Sequence, residues 1–367
     1  MAEDMKRTPI EAVHRAAGAK LGAFAGWLMP IEYEGVLAEH RAVRQRVGLF
    51  DLTHLGKVDV TGPGALGMLQ RLVTGDLSKI GTGRALYNLV LNDRGGVVED
   101  LIVYRLDDAR YFVVPNAANA VRVLRMLEEE RAPAPLHLMY HQDWCFLAVQ
   151  GPLSVEVTKQ LFDVATQLSF MECTETEYRR RPVILTRSGY TGELGFELFT
   201  FQDIAADLWS ELLEAGRPHG MLACGLAARD VLRLEMGYPL YGQDLSEKRT
   251  ALEARLAWTV DFDKGEFRGR NALLRQRKEG LPSRLWGLLM QDRRHIPRAH
   301  HPVFSGEARV GEVTSGTFSP MLERGIALAY LEPGDVVEPG DEVEVDVRGR
   351  KGKATVVKPP FVDRDPR

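Results

Sequence analysis

Tyr87-Asn88-Leu89-Val90-Leu91-Asn92-Asp93-Arg94-Gly95-Gly96-Val97-Val98-Glu99-Asp100-Leu101-Ile102-Val103-Tyr104 reads as two strand-like runs broken by a tight turn. A third run, Tyr111–Val114, follows a second break at Asp107-Asp108-Ala109. Short β-rich runs punctuated this closely predict an antiparallel meander, because a parallel crossover needs a dozen or more residues between strands. Working outward, Val36, His40, Val43 and Val47 share one face of a helix predicted from about Gly35 to Phe50. Lys57–Thr61 alternates as a half-buried strand does, and Ala65–Val73 returns to helical spacing. Downstream, the pattern predicts a helix over Asn119–Glu130 and a boundary at Ala132-Pro133-Ala134-Pro135. Then come strand Phe146–Val149, helix Ser154–Phe162, strands Val183–Thr186 and Phe196–Thr200, and helices Asp203–Ala215 and Leu226–Met236. The last hundred residues, rich in Gly, Pro and Val, predict a separate β domain. The elements do not repeat as βαβ units, so the fold class is α+β with antiparallel sheets.

Length and composition narrow the function. A chain of 367 residues has material for two or three domains, and 47 Lys+Arg against 51 Asp+Glu give a net charge of −4. That balance argues against a general nucleic-acid binder. The three cysteines, Cys145, Cys173 and Cys224, form neither a CxxC pair nor a disulfide framework, which suits a reducing compartment. Met1–Ile10 is charged without an apolar run, so no signal peptide is expected. No stretch approaches the roughly 18 apolar residues of a membrane span. The expectation is a cytoplasmic protein with no membrane association.

One motif points elsewhere. Gly62-Pro63-Gly64-Ala65-Leu66-Gly67 fits the GxGxxG dinucleotide fingerprint between a strand and a helix. Pro63 removes a backbone N–H from any pyrophosphate cradle. The preceding strand alternates, whereas a covered parallel strand is continuously apolar. The segment therefore reads as a plain strand-to-helix turn, and no nucleotide cofactor is expected. His295, His300 and His301 share a loop without metal-ligand spacing, so they read as exposed loop histidines, and no metal is expected. No nucleophile elbow or phosphate loop is present.

A series of segments carries more information in order than singly. It starts with Phe24-Ala25-Gly26-Trp27-Leu28-Met29-Pro30, Glu39-His40 and Val47–Gly56. It continues through Ala85-Leu86-Tyr87, Gly95–Tyr104 and Asn116-Ala117-Ala118-Asn119, then Gln150-Gly151-Pro152 and Gly189–Glu197. Ala228–Glu235, Leu240-Tyr241-Gly242, Arg298-Ala299-His300 and Thr314–Pro320 complete it. Together these segments resemble the tetrahydrofolate-dependent aminomethyltransferase family, the T-protein type of the glycine cleavage system, from about residue 8 to 361. The resemblance implies three lobes in a cloverleaf: residues 1–50 plus 143–275, residues 51–142 with the meander, and a C-terminal β-barrel or jelly-roll-like domain over 276–367. Folate would lie in the channel between them.

The resemblance also implies an activity. A lipoyl-bearing carrier, the H-protein, presents an S-aminomethyl group; tetrahydrofolate takes the carbon, ammonia leaves and 5,10-methylenetetrahydrofolate forms. Such a site needs an apolar slot with a few fixed polar groups for the pterin, and a carboxylate where positive charge develops. The family's catalytic Asp falls at Asp100. Alternation sends Glu99 and Asp100 to opposite faces, and apolar neighbours flank both: Val98, Ile102 and Tyr104 beside Asp100, Val97, Leu101 and Val103 beside Glu99. The pattern by itself does not choose between them, and without the resemblance Asp100 reads as a surface carboxylate on an edge strand. Glu197 matches the pterin-binding glutamate and Arg229 a folate contact, against the plainer readings of a solvent-facing strand residue and a surface ion pair. Tyr87, Tyr190 and Tyr238 match aromatic positions lining the folate site, Asn116 matches a further contact, and Arg298 matches an arginine at the mouth.

The chain departs from the family pattern at Leu28, Thr53–Gly56, Thr74-Gly75-Asp76, Glu99, Ala227 and Ala251, where Glu, Ser-His-Met-Gly, Thr-Asn-Asp, Asp, Gly and Pro are usual. These positions bear on the one-carbon donor more than on folate. The nearest alternative is a folate-dependent demethylase taking a methyl group from a small donor. A folate-binding module of iron–sulfur cluster maintenance would carry a cysteine where this chain reads Gly237-Tyr238-Pro239-Leu240-Tyr241-Gly242-Gln243. The C-terminal Lys358-Pro359-Pro360-Phe361 matches the family, leaving open a folate contact from Arg364 or Arg367.

Overall fold

The computed structural model describes residues 5–131, 135–332 and 338–367. Strands Arg84–Leu91, Val97–Asp107 and Arg110–Pro115 form the expected meander, extended at the far edge by Val58–Thr61 and His137–Tyr140. Every pairing in this five-stranded sheet is antiparallel. Residues 132–134 of the expected boundary lie outside the described residues. The turn after Leu91 is tied by Asn92, whose Oδ1 accepts from the N–H groups of Arg94 and Gly96. Gly96 is required there, since a Cβ would sit 1.9 Å from the Glu247 carbonyl oxygen.

Strict alternation fails at the start of the central strand. Leu91 pairs with Val97 but Val90 pairs with Glu99, which leaves Val98 as the extra residue of a β-bulge. Val98 therefore packs with Leu101 and Val103, not on the face of Asp100, Ile102 and Tyr104. Val97 joins a separate cluster with Leu89 and Leu91. The strand is also internal to its sheet, so the edge-strand reading of Asp100 is corrected.

A six-stranded sheet runs in the order Cys173–Tyr178, Arg181–Thr186, Gly195–Phe201, Trp144–Gln150, Gly48–Asp51, Leu222–Cys224. Its last pair is parallel. Here the helix expected to reach Phe50 stops at Gln45, and Gly48–Asp51 is a fully buried strand. The apolar residues after Arg46 satisfied helical spacing, but sheet burial on both faces overrides so short a periodic signal. Likewise the helix starting at Ser154 ends at Thr158. Helix Gln202–Gly216 buries Leu208, Trp209 and Leu212 against one face of this sheet. The other face meets the meander through Tyr104, Phe112, Phe146 and Phe199.

An N-terminal three-stranded sheet, Lys6–Arg7, Trp27–Glu32 and Lys20–Phe24, had no counterpart in the periodicity, because its strands are short and half-exposed. The C-terminal β domain is a closed barrel of six antiparallel strands between Arg284 and Val357. Val58–Thr61, which precedes the GxGxxG-like segment, pairs antiparallel on both sides, so no parallel nucleotide-binding sheet exists there.

Helix Leu226–Glu235 joins these parts. Its Glu235 is buried and accepts from His40 at 2.8 Å, from Arg44 at 2.8 and 3.0 Å, and from Ser319 of the barrel at 2.6 Å. Two residues earlier Arg233 donates to Asp244 at 2.8 Å and to Ser315 at 2.9 Å. Burying a charge is costly unless it is paired and hydrogen-bonded, and the partners here come from both the barrel and the helices packed against it.

Candidate active site

The meander, the six-stranded sheet, the N-terminal sheet and the barrel all contribute to the wall of a cavity of about 1360 Å³. That exceeds the roughly 300–1,000 Å³ of an ordinary small-ligand pocket. Its wall includes Tyr87, Asp100, Asn116, Tyr190, Glu197, Arg229 and Tyr238, so seven of the eight residues singled out from sequence face one space. Arg298 does not. It lies exposed on the barrel, with its guanidinium on the carbonyls of Pro297 and Gly316. Neither C-terminal arginine lines the cavity: Arg364 lies 3.4 Å from Glu193, and Arg367 pairs with Asp365.

Asp100 opens onto the cavity from the central strand. Its Oδ2 accepts from the Tyr87 hydroxyl at 2.9 Å and its Oδ1 from the Asn116 side-chain amide at 2.9 Å. Burial raises this carboxyl above its ordinary value, against the two hydrogen bonds that favour the anion. Tyr87 in turn stacks on Trp258, ring centroids 5.7 Å apart; Trp258 is 70% exposed at the cavity rim.

Glu197 comes from the opposite sheet, on strand Gly195–Phe201. Its Oε2 accepts from Ser188 at 2.5 Å and Tyr104 at 3.2 Å, while Oε1 has no hydrogen-bond partner among the described residues. Burial raises this carboxyl too, opposed by Ser188, Arg229 and Tyr104. Arg229, in the first turn of its helix, stands 4.8 Å over the Tyr190 ring. Its Nη1 is buried without a partner among the described residues, and burial lowers its pKa. Tyr190 stacks on Tyr238 at 5.6 Å and donates to the Pro239 carbonyl. The plainer surface readings of Glu197 and Arg229 therefore fail. A free carboxylate oxygen and a free guanidinium nitrogen beside stacked aromatic rings fit a flat, polar-edged ligand such as a pterin.

Sequence reasoning missed several contributors. Tyr104 holds Glu197 from the meander while Ser188 does so from the loop after strand Arg181–Thr186, and Trp258 braces Tyr87 from a 3-10 turn more than 150 residues away. His54 lines the cavity with Nδ1 unpartnered among the described residues, and burial pushes its pKa down to about 3, keeping the ring neutral. Glu99, beside Asp100 in sequence, is fully buried and does not line the cavity. The loop histidines are as expected for His300, which is exposed, but His301 is half-buried and so is His295, against Asp292. Among the described residues no group of three or more His, Cys, Asp or Glu side chains is placed to hold a metal, and no helix is long and apolar enough to cross a membrane.

Comparison with known proteins places the chain in a family. Residues 10–264 match the family described as the GCVT N-terminal domain, and residues 284–363 the glycine cleavage T-protein C-terminal barrel domain. The chain is 50% identical to an aminomethyltransferase of Parafrankia sp. (strain EAN1pec), over 99% of this chain and 100% of that one. It is 44% identical to an aminomethyltransferase of Mycobacterium avium (strain 104), over 98% and 97%. The crystal structure of glycine cleavage system aminomethyltransferase T from Bartonella henselae superposes with a TM-score of 0.91 at 36% identity, covering 98% of this chain and 99% of that one. Matches of this extent at both the sequence and the structural level mean that the chain belongs to the glycine cleavage T-protein family of aminomethyltransferases.

Proposed function

We propose that this protein transfers a one-carbon unit from the S-aminomethyl-dihydrolipoyl arm of a carrier protein, the H-protein of glycine cleavage, to tetrahydrofolate in the cytoplasm, with release of ammonia. The observation that carries the reading is the convergence of Asp100 and Glu197, from two separate sheets, on one cavity that also holds a partner-free Arg229 nitrogen. We further assign residues 1–50 with 143–275, 51–142 and 276–367 to three lobes around that cavity.

Tetrahydrofolate would supply the N5 nucleophile and leave carrying the carbon. Glu197 Oε1 would accept from the pterin amide and amino hydrogens, since Ser188 and Tyr104 already fix the other oxygen. Arg229, Tyr190 and Tyr238 would complete the slot. Asp100, aimed by Tyr87 and Asn116, would offset the positive charge that develops on the transferred carbon or take up the N5 proton. Trp258, exposed at the rim, is placed to meet an arm reaching in from outside.

The decisive experiment compares Asp100→Asn with the parent protein. Expected is tetrahydrofolate affinity within a few-fold of the parent and loss of most ammonia release from aminomethylated carrier. Undiminished turnover removes Asp100 from the chemistry. Methyl donors supplied in place of the carrier, with methyltetrahydrofolate as the product, would move the assignment to the demethylase reading.

A further inference from the structure

The Asn116 side chain lies against two acids at once. Its Nδ2 donates to Glu99 Oε1 at 2.5 Å, to Asp100 Oδ1 at 2.9 Å and to the Asp100 carbonyl at 3.0 Å. An amide nitrogen carries two hydrogens, so three acceptors compete for them. Glu99 Oε1 also accepts the Asn116 backbone N–H at 3.1 Å, whereas Glu99 Oε2 is buried with no partner among the described residues. Unlike Asp100, Glu99 is fully buried and does not line the cavity.

The surroundings supply no compensating cation. From helix Ala120–Glu130, Arg122 faces Glu99 but pairs with Glu247 at 2.7 Å, and Asn119, at the position before that helix, donates its side-chain amide to the Val98 carbonyl at 2.9 Å and faces Glu99 as a neutral donor. Tyr241 and Tyr87 face Glu99 from a loop and from strand Arg84–Leu91. Asp100 is faced by Tyr87, Tyr190 and Asp244, and Asp244 is itself paired with Arg233. Among the described residues no basic side chain lies within ion-pair distance of either acid. Two anions sharing one amide in such a place repel strongly, and a single retained proton relieves them.

We propose that Glu99 is a positioning residue: it keeps that proton on Oε2 at neutral pH, so that Asp100, whose two oxygens both accept hydrogen bonds, is the anion presented to the cavity. The assignment rests on reading Asp100 as the reactive carboxylate. The choice between the acids follows from their partners. A bare carboxylate oxygen costs more buried than a bare acid hydroxyl, and only Glu99 has a bare oxygen. Burial, and then the Asp100 charge, raise Glu99 in the same direction, against the amides of Asn116 and Asn119, which favour the anion.

Infrared spectroscopy of the full chain with 13C-labelled glutamate tests this without turnover. At pH 7 a label-sensitive carboxylic-acid stretch should be present in the parent and lost in Glu99→Gln. In Glu99→Asp the band should instead become sensitive to labelled aspartate. No difference between the parent and either variant overturns the proposal. The acid limb of the ammonia-release profile gives a second readout. A Glu99 already neutral when Asp100 ionises leaves its midpoint in place in Glu99→Gln, whereas an ionised Glu99 would, on removal, lower it by about one pH unit or more. A Glu99 band together with full activity of Asp100→Asn would sink the reaction reading and leave the Glu99 proton standing. Turnover dependent on Asp100 without the band would sink only the proposal.

Discussion

Replacing Glu197 by Gln isolates the recognition half of the site. The substitution keeps volume and shape, and the hydroxyls of Ser188 and Tyr104 can hold the new carbonyl oxygen where they now hold Oε2. The atom facing the cavity then becomes an NH2 group, which meets the pterin donors with a donor. One charge-assisted hydrogen bond is lost and its neighbour is opposed, for a total of about 3–4 kcal/mol at ~1.5–3 kcal/mol per bond to a charged group. At ~1.4 kcal/mol per power of ten, the dissociation constant for tetrahydrofolate should rise between two and three powers of ten. Titration calorimetry with reduced folate measures it, and a thermal melt serves as control. The melt should not fall, because the variant removes a carboxylate that burial already disfavours. A dissociation constant within about three-fold of the parent would refute the reasoning, since the loss of one charge-assisted bond alone exceeds that change.

Two stability predictions accompany it. Glu235→Ala strands Arg44 and His40 without their carboxylate and should cost about 3–5 kcal/mol in denaturant unfolding, the usual result of breaking a buried ion pair. Asp100→Asn should instead change stability in a pH-dependent way. Because folding raises the Asp100 pKa, the folded state binds more protons than the unfolded one, and the parent loses relative stability as pH rises from the ordinary carboxylate range to the folded pKa. The variant should therefore melt near the parent at about pH 3 and be more stable at pH 8 by on the order of 1–3 kcal/mol. Equal stability at both pH values would mean that the carboxyl is not held in the disfavoured state.

The sequence by itself determined the meander, the antiparallel class and the C-terminal β domain, because these rest on signals within ten or twenty residues: alternation, turn chemistry at Asp93–Gly96, and glycine- and valine-rich runs. It also rejected the Gly62–Gly67 fingerprint through Pro63 and the alternating strand before it, which the antiparallel pairing of Val58–Thr61 bears out. The site residues were named through resemblance, not through periodicity. Alternation left Glu99 and Asp100 undecided, and even misplaced Val98, because a bulge that one strand imposes on another leaves no trace in the strand that carries it. Only the tertiary structure decided that Asp100 opens to the cavity while Glu99 is sealed behind Asn116, that Tyr104 of the meander reaches Glu197 beside Ser188, and that Arg298 stands outside. Each of those outcomes depends on contacts between separate elements of the fold, and their energies come from burial and partner geometry that no local pattern encodes.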